Sequence, residues 1–178
     1  MLNFMKNGSE AKFKGTKRLA GFLAGLLLLL GVLGGCGQEA PSKAGNSLPE
    51  QGSYYYDLEN VVLYLDAYGE LPPNYITKAE ARELGWQGGP VDRWQEGAAI
   101  GGDSFGNREG LLPEGSYTEC DLNTLGADNR GEERLVFADP GGKDSLYYYT
   151  GDHYESFCRV VIEDGQVMLA EEDCGGDA

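Results

Sequence analysis

The chain is predicted to fold as an α+β domain, in which N-terminal helices pack on an antiparallel five-stranded sheet that gains an extra C-terminal hairpin strand. Two observations carry this expectation. Helical periodicity is confined to residues 57–96, and the strand-length runs that follow are punctuated by glycine. Helices first and strands afterwards segregate the helices to one side of an antiparallel sheet, whereas an alternating order would build a parallel one.

The first helix is read from Leu58, Val61, Val62, Leu65 and Tyr68, which share one helical face. Asp57 is placed to cap its start, and Gly69 with the pair Pro72-Pro73 ends it. Thr77-Lys78-Ala79-Glu80 has the spacing of a capping box and opens a second helix that closes at Gly85. Lys78 then sits in the first turn, where a cation opposes the helix dipole, so its charge points to a use other than stability. A short helical stretch follows Pro90 over residues 91–96. Strands are expected at residues 98–104, 117–122, 134–138, 145–150 and 156–162, and the Asp164-Gly165 turn adds a sixth at 166–170.

The N-terminal part reads differently. Residues 1–18 carry Lys6, Lys12, Lys14, Lys17 and Arg18, and residues 19–34 form an uncharged run centred on Leu26 to Leu30. That is the layout of a signal peptide, since a run of about 16 residues falls short of the roughly 20 that span a bilayer. Leu33-Gly34-Gly35-Cys36 resembles the lipobox of bacterial lipoproteins, which implies cleavage before Cys36 and a diacylglycerol on its thiol. The expected organisation is therefore a signal peptide over 1–35, a polar, aperiodic tether over 36–53, a folded domain over 54–162 and a C-terminal extension over 163–178. Such a protein is expected outside the cytoplasm, anchored to the outer face of the cell membrane through Cys36 or released from it.

Residues 1–35 hold five of the 14 basic residues and one of the 29 acidic ones, which leaves nine and 28 and a formal charge of about −19. A surface of that sign repels nucleic acid at long range, so composition alone argues against an RNA partner. With Cys36 assigned to lipid, Cys120, Cys158 and Cys174 remain. Cys158 lies on the strand at 156–162 and Cys174 follows the hairpin, whereas Cys120 falls on a distant strand, so a Cys158–Cys174 bridge is expected. His153 is the only histidine and there is no closely spaced cysteine pair, which makes a zinc site improbable.

Two stretches, residues 71–86 (LPPNYITKAEARELGW) and 100–110 (IGGDSFGNREG), closely resemble the barnase and binase type of secreted, guanyl-preferring bacterial ribonuclease. A third, residues 152–157 (DHYESF), is similar to the segment that carries that family's catalytic histidine. The resemblance implies that Glu119 is the general base and His153 the general acid. It places Lys78, Arg130 and Arg134 around the phosphate, and gives Asp103 the task of holding the site together. It puts guanine recognition on Gly106, Asn107, Arg108 and Glu109, with Tyr154 as a base-side contact. It also implies a monomer that needs no cofactor or metal and takes single-stranded RNA as substrate. The glycine at 106, the long loop at 139–144, the tail after Val160 and the acidic surface depart from the family pattern.

The implied chemistry suits those residue types. RNA brings its own nucleophile, the 2′-OH, so one group must take that proton and another must protonate the 5′-oxygen as it leaves. Fixed cations then stabilise the charge that grows on the phosphoryl oxygens. Taken singly, a strand glutamate or a loop arginine is more often a solvated side chain; order and spacing together raise them to a site. Two other readings fit the sequence: a catalytically inactive, membrane-tethered interaction lipoprotein that keeps the fold, and a membrane-held toxin effector neutralised by a barstar-like inhibitor.

Overall fold

A computed structural model describes residues 47–170 and 174–175. The proposed signal peptide, Cys36 and the tether up to residue 46 lie outside the described residues.

The elements follow the chain as α1 (Leu58–Tyr68), β1 (Tyr75–Ile76), α2 (Lys78–Glu83), a 3-10 turn (Val91–Arg93), β2 (Ala99–Phe105), β3 (Tyr117–Asp121), β4 (Arg134–Ala138), β5 (Leu146–Thr150), β6 (Cys158–Glu163) and β7 (Gln166–Ala170). Asp57 caps α1 by accepting the Asn60 N–H at 3.0 Å, and Gly69 ends it in the left-handed conformation that glycine adopts without steric cost. The Thr77–Glu80 capping box forms in both directions around α2.

All strands lie in one sheet in chain order, β1 to β7, and every neighbouring pair except the first is antiparallel. The sheet therefore has seven strands where five and a hairpin strand were expected. The addition is β1, whose two residues pair in parallel with β2 through Tyr75↔Ala99 and Ile76↔Ile100. A strand of two residues carries no alternation for a pattern to reveal, and its partner is more than 20 residues away. The hairpin strand β7 forms as expected, and the Cys158–Cys174 disulfide closes the end of the extension onto β6.

Strand alternation divides the sheet into two buried faces. Cys120, Leu135, Phe137, Tyr147 and Val160 meet Val61, Val62 and Leu65 of α1. The residues between them, Val136 and Tyr148, join Tyr117, Leu112 and Phe157 in a separate cluster on the other face. A third cluster, built on Ala81, Trp86, Val91 and Ile100, fixes α2 and the 3-10 turn against β2. The register Asp103↔Glu119, Asp121↔Arg134↔Thr150 then places all five of these polar residues on the face away from α1.

Candidate active site

Glu119 stands in the middle of that face, on β3, and is buried although charged. Its two carboxylate oxygens are separately engaged. Lys78 Nζ reaches Oε1 from the first turn of α2, and the Tyr154 hydroxyl donates to Oε2 at 2.8 Å. The lysine that opposed the helix dipole in the sequence thus finds its counter-charge across the site. Asp103 steadies the same helix end by accepting the Lys78 backbone N–H at 2.8 Å, a favourable place for an anion.

Below Glu119 lies a second ionic group. Asp121 takes a two-pronged pair from Arg130, both contacts at 2.7 Å, and Arg134 Nε stands 2.9 Å from its Oδ1. The remaining Arg134 donors reach the backbone carbonyls of Arg130, Gly131 and Glu133, so this guanidinium, 2% exposed, ties down the loop ahead of β4. Arg130 keeps more solvent contact, 24% for its side chain, and its guanidinium lies over the Trp86 ring at 5.6 Å. Burial acts to lower its pKa, but the hydrogen-bonded charge of Asp121 outweighs this and holds it above the ordinary value. Of the two arginines, Arg130 is therefore the one open to solvent.

His153 and Tyr154 sit in the turn between β5 and β6, and both have left-handed backbones, φ 59° and 76°. Two consecutive non-glycine residues in this region store strain that the surroundings must hold. Thr150 Oγ1 accepts the Tyr154 N–H at 3.0 Å and donates to Asp152 Oδ1 at 2.8 Å. Asp152 in turn accepts from both the backbone and the hydroxyl of Ser156. These bonds, led by the Ser156 hydroxyl, lower the Asp152 pKa from 3.8 to about 2. The His153 N–H donates to the Glu132 carbonyl at 3.2 Å, which joins this turn to the arginine loop. The His153 ring is exposed and lies 5.1 Å from the Tyr154 ring, which stacks on Phe105 at 5.3 Å.

The loop after β2 closes on itself. The Asn107 side chain donates to the Leu112 carbonyl at 2.7 Å and accepts the Leu112 N–H at 3.0 Å, with its own backbone left-handed at φ 40°. Gly106, Arg108 and Glu109 remain exposed. Glu109 lines a cleft with Phe105, Leu111, His153, Tyr154 and Glu155. The structure thus brings Lys78, Asp103, Glu119 and Tyr154 into one contact network, sets His153 beside it, and holds Arg130 and Arg134 through Asp121. Asn107 works as the clasp of its loop, and the Tyr154 hydroxyl faces Glu119 rather than the cleft alone. Asp121, Trp86, Thr150, Asp152 and Ser156 were missed as parts of the site. A pair of arginines four residues apart, facing an Asp two residues beyond the Glu, was the one available signal for Asp121.

The sequence that builds this site has relatives. The chain is 42% identical over 107 residues to a ribonuclease of Heyndrickxia coagulans, a match covering 57% of this chain and 94% of that one. It is equally similar to a ribonuclease of Bacillus intermedius, of which 63% is covered. It is 40% identical over 96 residues to guanyl-specific ribonuclease St of Saccharopolyspora erythraea, covering 52% of this chain and 83% of that one. The family model for ribonuclease matches residues 59–161, the span from α1 to β6 that carries every polar side chain of the site, and the chain belongs to this ribonuclease family.

Proposed function

We propose that this ribonuclease cleaves single-stranded RNA after guanosine by transesterification, with Glu119 as general base and His153 as general acid. Glu119 takes the 2′-OH proton as the 2′-oxygen attacks phosphorus. His153 gives a proton to the departing 5′-oxygen, and a 2′,3′-cyclic phosphate results. Water then opens the ring with the two roles exchanged. Side chains supply both proton transfers and Lys78 and Arg130 supply positive charge for the phosphoryl oxygens, so no step calls for a metal.

The observation that carries this reading is the setting of Glu119: a buried carboxylate held between an ammonium and a phenol, with an exposed imidazole beside the phenol. Burial pushes the Tyr154 hydroxyl well above its ordinary pKa and the Glu119 charge adds to the effect, so the phenol stays a donor throughout the working range. For the base, Glu109 lines the cleft and its carboxylate would accept from guanine N1–H and N2–H₂, while the backbone N–H groups of the adjoining loop at 106–109 would serve O6. Adenine presents the reverse pattern on that edge. Phe105 and Tyr154 supply aromatic surface for an unpaired base.

The test is cleavage of a GpN dinucleotide in EDTA. Glu119→Ala and His153→Ala are each expected to slow the reaction by roughly 10²–10⁴-fold with the fold intact. Near-wild-type rates in both variants would refute the mechanism.

We also propose that the enzyme works outside the cytoplasm as a Cys36-linked lipoprotein. The Cys158–Cys174 disulfide supports an oxidising compartment. Fatty-acid labelling that vanishes in Cys36→Ala is the expected result, and label retained in that variant would refute it. A barstar-like inhibitor guarding the producing cell would co-purify with His153→Ala expressed without residues 1–35.

A further inference from the structure

The C-terminal extension lies beyond the family match, which ends at residue 161, yet its contacts lead back to the proposed acid. Strand β7 pairs with β6 from Glu163↔Gln166 to Arg159↔Ala170. Residues 174 and 175 lie at the start of β6. Cys174 bonds to Cys158, and the Gly175 N–H donates to the Phe157 carbonyl at 3.2 Å. Both attachments fall on the two residues where the His153 turn re-enters the sheet.

Phe157 is the piece that transmits this hold. Its ring is buried, edge-on to Phe105 at 5.8 Å, and 6.4 Å from the Tyr154 ring. Tyr154 stacks on the same Phe105 and reaches Glu119 with its hydroxyl. One residue before Phe157, Ser156 clasps Asp152, the neighbour of His153. The strained pair His153–Tyr154 is therefore held at its entrance by Thr150 on β5, and at its exit by a short segment that β6 secures only from Cys158 onward.

We propose that the C-terminal extension is a strap that positions the general acid: the Cys158–Cys174 bridge and the Gly175–Phe157 bond fix the exit of the His153 turn. The inference rests on the reading of His153 given above. Cys158, Phe157 and Cys174 are positioning residues, since each acts through the turn. Without the strap the turn samples relaxed backbones in which His153 and Tyr154 leave the left-handed region.

The experiment uses the full-length chain and the double variant Cys158→Ser/Cys174→Ser, compared at a temperature where near-UV circular dichroism shows both folded. Cys120 is buried and apart from the bridge, so it is left in place. The variant is expected to lose hydrogen-exchange protection at the amides of residues 153–157, with α1 and β3–β5 unchanged. Its kcat on GpN is expected to fall roughly tenfold, as when the competent turn is populated about one tenth of the time. The same loss is expected for the wild type in dithiothreitol, restored on reoxidation. A lower melting temperature with unchanged kcat would mean that the bridge only stabilises the fold, and would overturn the proposal. A fall in kcat with the turn still fully protected would overturn it too. His153→Ala serves as control. If that variant is inactive, an unchanged kcat in the cysteine variant counts against the strap alone, whereas an active His153→Ala counts against the assignment of the acid.

Discussion

The two sides of the site are built by opposite means. On the proposed phosphate side, Asp121, Arg130 and Arg134 form an ionic group rooted in β3, β4 and the loop between them, with Asp121 and Arg134 almost wholly buried and each charge answered by another. On the proposed acid side, His153 is exposed and sits in a turn bounded by the Thr150 and Ser156 hydroxyls, the Asp152 carboxylate and the disulfide at Cys158. The difference follows the chemistry. Cations that stabilise a developing charge serve best when they need not move, and Arg130 and Lys78 are each pinned to a carboxylate of the rigid sheet, Asp121 and Glu119. A proton donor must reach a leaving group and then exchange protons with water, so it belongs at the surface, where strain and local bonds replace packing.

Removing the centre of the rigid side should have the largest effect. Asp121→Ala leaves Arg134 buried without its counter-charge and is expected to cost about 3–5 kcal/mol of stability, measured by urea or thermal unfolding. A cost below about 1 kcal/mol would erase the contrast between the two sides. Next comes the link between them. Tyr154→Phe removes a hydrogen bond to a buried charged group and is expected to cost about 1.5–3 kcal/mol of stability, with a fall in kcat/KM as Glu119 loses one of its two partners.

The lock on the acid side should show itself through pH. The Asp152 carboxyl titrates at about 2 in the folded chain, below its ordinary 3.8, so its hold on the turn is complete above about pH 4 and is lost as the pH falls through 2. Exchange protection of residues 153–156 should follow that curve in the wild type. In Asp152→Asn it should be lower throughout and show no such step. An unchanged step in the variant would assign the titration to another group.

The smallest expected effect is that of salt. Cleft contacts weaken as salt rises, with a slope of about −0.7 per phosphate on single strands, while the acidic body repels RNA more strongly at low salt. For kcat/KM on RNA, a rise at low ionic strength followed by a fall is expected. A monotonic fall would mean that the cleft governs encounter at every range.

Much of this architecture was legible in the sequence, because α1, α2 and the strands at 134–138 and 166–170 announce themselves through caps, periodicity and a turn dipeptide. What stayed hidden depends on contacts distant in sequence or on very short segments. The strand Tyr75–Ile76 is defined only by its partner, and Asp121 looks like any polar strand residue until β4 brings Arg134 opposite it. Glu119 and His153 could be named by resemblance, but the hydroxyl of Tyr154 that connects their surroundings could not. Its direction is set by the stacked Phe105 and by the left-handed turn.

The most direct test is a short, unstructured RNA with a single guanine, incubated with the wild type and with His153→Ala in EDTA and analysed by mass spectrometry. One cut, 3′ to the guanosine, with a 2′,3′-cyclic phosphate on the 5′ fragment in the wild type and almost none in the variant, is the expected result. Cuts at other bases, a product lacking the cyclic phosphate from the earliest times, or equal cleavage by His153→Ala would contradict the acid/base pair and the guanine site assigned to this fold.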